Sequence, residues 1–175
     1  MKKKLQPCKG PILRILALDP SVMNRCGWAV VEIERDLKGK VIRDDWDFGS
    51  FEVSGMNFQM RCSDLKDWII GLGFAFDVLV MEWPTYYDSD KGKTAARKGY
   101  TINLAGIAMY IAGYFQVDFR KLFLYTAPDW KGTVKKVVTA RRFFKLFGLS
   151  EMKIDHDTID AVMMLVYHCK KHRLC

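Results

Sequence analysis

Three strand-sized apolar runs follow one another with no helix between them, and two more are reached only through helical stretches. The first three are "ILRILALD" (12–19), "CGWAVVEIER" (26–35) and "KVIRDDWDFGSFEV" (40–53), rich in β-branched and aromatic residues. The links "PSVMNR" and "DLKG" are short and polar, so these strands pair as antiparallel neighbours. The periodicity then changes. "MNFQMRCSDLKDWIIGL" (56–72) has the apolar spacing of an amphipathic helix, and "DVLVMEW" (77–83) is a short buried strand. "TAARKGYTINLAGIAMYIAGYF" (94–115) reads as one long helix with a small-residue stripe at Ala105, Ala108 and Ala112. A strand "KLFLYT" (121–126) and a helix "VKKVVTARRFFKLF" (134–147) with a cationic face follow. The last helix runs from about Asp157 to Lys170. Strands joined by helical crossovers lie parallel. The order β-β-β-α-β-α-β-α-α therefore predicts an α/β fold. Its five-stranded mixed sheet has three antiparallel strands, then two parallel ones, with helices flanking it.

No repeat, low-complexity tract or linker divides the 175 residues, a length that suits one domain with a sizeable core. The basic N-terminus (1–11) reads as a tail; it lacks the apolar segment of a signal peptide, and no run is long enough for a transmembrane helix. The five cysteines, Cys8, Cys26, Cys62, Cys169 and Cys175, are odd in number and form no C-x-x-C pair. That argues against a disulfide framework or structural zinc, and for a reducing, cytosolic setting. Net charge is +8, and much of it is clustered. Lys91, Lys93, Arg97 and Lys98 form one group; Lys131, Lys135, Lys136, Arg141 and Arg142 form another; "CKKHR" (169–173) is a third. Aromatic residues lie among these cations, a pattern suited to a phosphate-and-base surface.

Ligands in mixed α/β sheets collect beyond the carboxyl ends of the strands. Asp19 ends the first strand and Glu82 the fourth. The last helix opens with "KIDHDTID", and its body "AVMMLVYHC" is apolar almost all round, so it packs on the sheet. Asp157 and Asp160 share a face of it. By themselves they could be helix-dipole acids or a capping box; Asp155 is the better cap. Packed on the sheet, the helix would bring both acids to Asp19 and Glu82. At ~4 Å and an effective dielectric of ~20, each like-charge pair costs about 4 kcal/mol. Such a cluster needs cations, and an all-oxygen ligand set favours Mg²⁺ or Mn²⁺. Two such ions roughly 3.5–4 Å apart are a known device for phosphodiester cleavage. His156 could assist proton transfer near neutral pH, although a single surface histidine is more often incidental. His168 and His172, four apart, lack a third metal ligand.

The pattern resembles the RuvC-type Holliday junction resolvases of the RNase H-like (retroviral integrase) superfamily, over about residues 12–170. "ILALDPS…NRCGWAVVE", "DVLVMEW" and "DHDTIDAVMMLVYH" carry the resemblance. It implies a two-metal endonuclease working as a homodimer, making paired nicks in a branched DNA such as a four-way junction. Asp19, Glu82, Asp157 and Asp160 match the catalytic, metal-holding acids. Lys131 and Lys135 fall where the family has basic residues near the scissile phosphates. Trp83, Tyr86 and Tyr87 are candidates for its base-stacking wedge, with Pro84 a departure from its pattern. The family's usual glycine after D-P is Ser21 here. "APDWKGTVKK" is similar to the basic segment of phage-borne members, which would place the chain in a host cytoplasm. The helix at 94–115 corresponds to one that contributes to the family's dimer contact.

Two other readings of the residues stay open. One is a DNA-binding module that keeps the fold without cutting. The other is a related nuclease acting on RNA–DNA hybrids, flaps or forks. An actin-like phosphotransferase is excluded by length and by the lack of a glycine-rich phosphate loop.

Overall fold

The computed structural model describes residues 9–20, 25–54, 57–86, 89–149 and 153–174. Its centre is a five-stranded sheet in the order β3-β2-β1-β4-β5. The strands are β1 (Lys9–Asp19), β2 (Arg25–Asp36), β3 (Val41–Glu52), β4 (Val78–Glu82) and β5 (Leu122–Tyr125). β1–β2 and β2–β3 pair antiparallel, while β1–β4 and β4–β5 pair parallel. This is the mixed sheet expected from the link lengths. The β2–β3 hairpin is closed by Asp36, whose Oδ1 accepts from the backbone N–H of Lys38 (2.9 Å) and Lys40 (2.8 Å). β1 begins at Lys9, so residues 9–11 of the expected tail belong to the sheet; Lys9 is paired with Asp36. Residues 1–8 lie outside the described residues.

Two apolar layers hold the sheet between them. Strand side chains alternate with period two. On one face Ile15, Ala17, Ala29, Val31, Val78 and Val80 meet helix α6 (His156–Lys171) and Phe143 of helix α5 (Lys136–Phe147). On the other, Leu16, Leu18, Val30, Leu79 and Met81 meet α1 (Phe58–Gly71) and α3 (Tyr100–Tyr114). Fully burying one such side chain contributes about 1.5–3 kcal/mol before entropy is counted. Cys26, Cys62 and Cys169 are buried among them as small apolar groups, while Cys8 and Cys175 lie outside the described residues. No helix among the described residues is long and apolar enough to cross a membrane.

Two departures from the sequence reading concern helices. The stretch 94–115 is not one helix but parts of two, α2 (Asp90–Arg97) and α3. Gly99 breaks it, at φ 73°, a left-handed conformation that a residue without Cβ adopts cheaply. Apolar periodicity runs on through the break, so it did not reveal it. A one-turn helix, α4 (Ala127–Trp130), also stands between β5 and α5. It is fixed by Asp129, whose Oδ2 accepts from the Thr126 N–H (2.7 Å) and hydroxyl (2.6 Å). The small-residue stripe of α3 faces inward: Ala108 and Ala112 are buried, and a Cβ on Gly106 would come within 2.9 Å of the Phe58 ring.

Candidate active site

The pairing of β1 with β4 puts Leu18 opposite Met81, so the next residues, Asp19 and Glu82, end adjacent strands side by side. Period two decides which way they face. Asp19 follows Ile15 and Ala17, and Glu82 follows Val78 and Val80; those four all lie on the α6 side. Both acids therefore extend that face beyond the apolar core.

α6 brings the other two acids. Its N-cap is Asp155, which accepts from the Thr158 N–H (2.9 Å) and hydroxyl (2.8 Å). Capping thus falls to Asp155, leaving Asp157 and Asp160 free of that duty. Gly27 of β2, on the same sheet face, lets the helix end settle directly on the strand. A Cβ there would sit 1.9 Å from the Asp157 carbonyl oxygen and 2.7 Å from the Thr158 nitrogen. Asp160 is 5% exposed.

The four carboxylates feel one another. Burial pushes the Asp19 carboxyl well above the usual range, and Glu82, Asp160 and Asp157 add to it, with Lys131 pulling the other way. Glu82 is raised chiefly by burial and also by Asp160, against Lys131, the Trp130 hydrogen bond and Lys136. Asp157 is raised by burial, Asp155 and Asp160, against Lys136 and His156. Even the Cys26 thiol is raised, by burial first and then by Asp19 and Asp157. Burial first, and the neighbouring carboxylates second, disfavour the charged forms of these groups.

Two protein donors work the other way. Lys131 Nζ pairs with Asp160 Oδ2 at 2.9 Å, and both side chains are largely buried. Burial works against the ammonium, yet Asp160, Glu82 and Asp19 outweigh it and hold the Lys131 pKa above its ordinary value. Trp130 Nε1 donates to Glu82 Oε2 at 3.3 Å. The donor chemistry fits a hard divalent cation, since the available ligands are carboxylate oxygens on rigid elements. Among the described residues, however, no three His, Cys, Asp or Glu side chains converge closely enough to hold one ion.

The basic side chains named from the sequence lie on two elements and one junction. Lys93 and Arg97 on α2, with Lys98 just after it, are exposed; so are Lys136, Arg141 and Arg142 on α5 and its N-cap Lys135. Lys131 differs, being committed to Asp160. Tyr86 is 57% exposed, whereas Trp83 packs half-buried against the α1–α3 side of the core. That placement leaves Tyr86 the more accessible base-stacking candidate. Ser21, Tyr87 and the side chain of Lys91 lie outside the described residues. His156 is exposed beside Asp157. His168 and His172 do not stand free as a metal pair: Nδ1 and Nε2, respectively, lie 3.0 and 3.2 Å from the Tyr125 hydroxyl.

Sequence reading missed Gly27 and Trp130. A glycine within an apolar strand signals close backbone approach, and that signal was present. Nothing local marks Trp130, whose partner is 48 residues away.

The fold is similar to that of RuvC from Thermus thermophilus. The likeness is to its complex with a Holliday junction substrate (TM-score 0.59, 15% identity, 92% of this chain and 96% of that one). It extends to the T. thermophilus RuvC structure (TM-score 0.58, 15% identity, the same coverage). No protein-family model and no curated protein matches the chain. The RuvC resemblance read from the motifs thus holds at the level of the fold.

Proposed function

We propose that the chain is a divalent-metal-dependent endonuclease that cuts branched DNA, resolving four-way junctions by paired nicks. One observation carries the reading: carboxylates from β1, β4 and α6 lie at the carboxyl end of a RuvC-like sheet, near enough for Glu82, Asp157 and Asp160 to act electrostatically on Asp19. Asp19, Glu82, Asp157 and Asp160 would hold Mg²⁺ or Mn²⁺. Such ions supply an activated water and stabilise the departing 3′ oxygen. The remaining work falls to the chain itself. The buried strand ends fix Asp19 and Glu82, and the Asp155 cap fixes the helix end that carries the other two acids. Exposed Lys135, Lys136, Arg141 and Arg142 face solvent on α5, where they would grip the phosphate backbone. Lys93, Arg97 and Lys98 would add a second grip, with Lys91 in the same segment and Tyr86 available for stacking on an unpaired base.

Paired nicks need two sites, hence a homodimer. α3 offers exposed apolar side chains for it: Ile102 (75% exposed), Met109 and Tyr114. Sedimentation at micromolar concentration, with and without DNA, tests this; a monomer in both conditions refutes it.

The deciding assay incubates the protein and Mg²⁺ with an end-labelled four-way junction. Linear duplex, flap, fork and RNA–DNA hybrid run alongside. Symmetric nicking of the junction is expected, lost in Asp19→Asn and Glu82→Gln with binding retained. Binding without cutting would make the chain a branched-DNA-binding module. Preference for the hybrid would make it a ribonuclease H.

A further inference from the structure

Asp160 and Glu82, from different elements, are both engaged by consecutive residues of one short turn. Trp130 and Lys131 close α4, and that turn is stiff. Asp129 clamps its start, the Lys131 N–H donates to the Ala127 carbonyl (3.0 Å), and Gly132 ends it at φ 60°. The Lys131 ammonium also lies 4.6 Å from the centre of the Trp130 ring, a cation–π distance. Indole and ammonium are therefore delivered to the acids as a unit.

Resting on the nuclease reading above, we propose that this turn is an internal latch: Lys131 occupies the Asp160 oxygen that a divalent ion needs, and metal loading requires its displacement. Two contacts carry the latch. One oxygen of Asp160 is held by Lys131 and one of Glu82 by Trp130. Lys131 is the cation bonded to Asp160, with its side chain only 17% exposed. A DNA phosphate that accepts Lys131 frees Asp160 for metal. By linkage, DNA and metal then each strengthen the other's binding. The device would hold back metal loading until a polyanion is in place.

The test is calorimetric titration of the full chain with Mn²⁺ alone, without DNA. Lys131→Met keeps the apolar stem and removes the charge. It is expected to bind Mn²⁺ about tenfold more tightly than wild type, equivalent to about 1.4 kcal/mol. Lys131→Arg, which keeps the cation, is expected to stay within about threefold of wild type, under about 0.7 kcal/mol. Equal or weaker Mn²⁺ binding by Lys131→Met, with binding abolished in Asp160→Asn, overturns the latch and leaves the nuclease reading standing. No Mn²⁺ binding by either protein at millimolar concentration overturns the metal-site reading itself, and the latch with it. Should Lys131→Met not fold, wild type provides a second measurement. Mg²⁺ should move Lys131 off the Trp130 ring and change tryptophan emission saturably. That change should be missing in Trp130→Phe; its absence in wild type overturns the latch.

Discussion

Gly27→Ala isolates the contact that seats α6 on the sheet. The added methyl would lie 1.9 Å from the Asp157 carbonyl oxygen and 2.1 Å from its carbon, both backbone atoms that no rotamer change can move. Real Cβ contacts essentially never fall below 3.0 Å, so the start of α6 must retreat by about 1.1 Å. Overpacking of this kind costs about 1–3 kcal/mol. For a chain of this size that lowers the melting temperature by about 2–12 °C. The larger effect is on position. Asp157 and Asp160 ride on the displaced turn, while Asp19 and Glu82 stay on the strands. A shift of about 1 Å in a catalytic group costs about a hundredfold in rate. Junction nicking measured well below the variant's melting temperature should fall by that order, with junction binding largely kept. Gly71→Ala is the control: its Cβ would meet nothing within 4 Å, and it closes α1. It should be neutral or stabilising by up to about 1 kcal/mol. If Gly27→Ala melted and nicked like wild type, the seating of α6 on β2 would be wrong.

Other outcomes follow from the same geometry. Millimolar Mg²⁺ should raise the melting temperature of wild type through preferential binding to the native state. Asp19→Asn should blunt that response, and a flat wild-type response would count against the metal site. Trp130→Phe removes a hydrogen bond that lowers the Glu82 pKa. The acid limb of the nicking pH profile should therefore move to higher pH; an unmoved limb would deny Trp130 a role in orienting or tuning Glu82. His168 has its pKa pushed down to about 4 by burial, then by His172 and Lys171. A depressed histidine gives stability that is present above its unfolded value of about 6.5 and lost as pH falls toward 4. Melting curves from pH 7 to 4.5 should fall less steeply for His168→Gln than for wild type. Parallel curves would contradict the burial of a neutral imidazole there.

The strands and their pairing directions were legible because they depend on local terms. Apolar runs such as Ile12–Asp19 and the short links after them restrict the chain to hairpins first and crossovers later. The acids were legible as strand-end and helix-start residues for the same reason, and Asp155 as the cap from its place before the apolar stretch. Gly99 was harder, since a helical period does not register the one residue at which the backbone turns left-handed. Ala105, Ala108 and Ala112 announced a close approach but not its direction, which the packing of α3 on α1 and the sheet decided.

Sequence alone settled the mixed sheet, the succession of its strands along the chain and the type of ligand available, all properties of neighbours along the chain. Only the tertiary structure decided that Asp160 meets Lys131, that Trp130 reaches Glu82 and that Gly27 receives Asp157. Those contacts join residues far apart in sequence. They arise from the register of β1 on β4 and the seating of α6, and no local propensity encodes a distance across a fold.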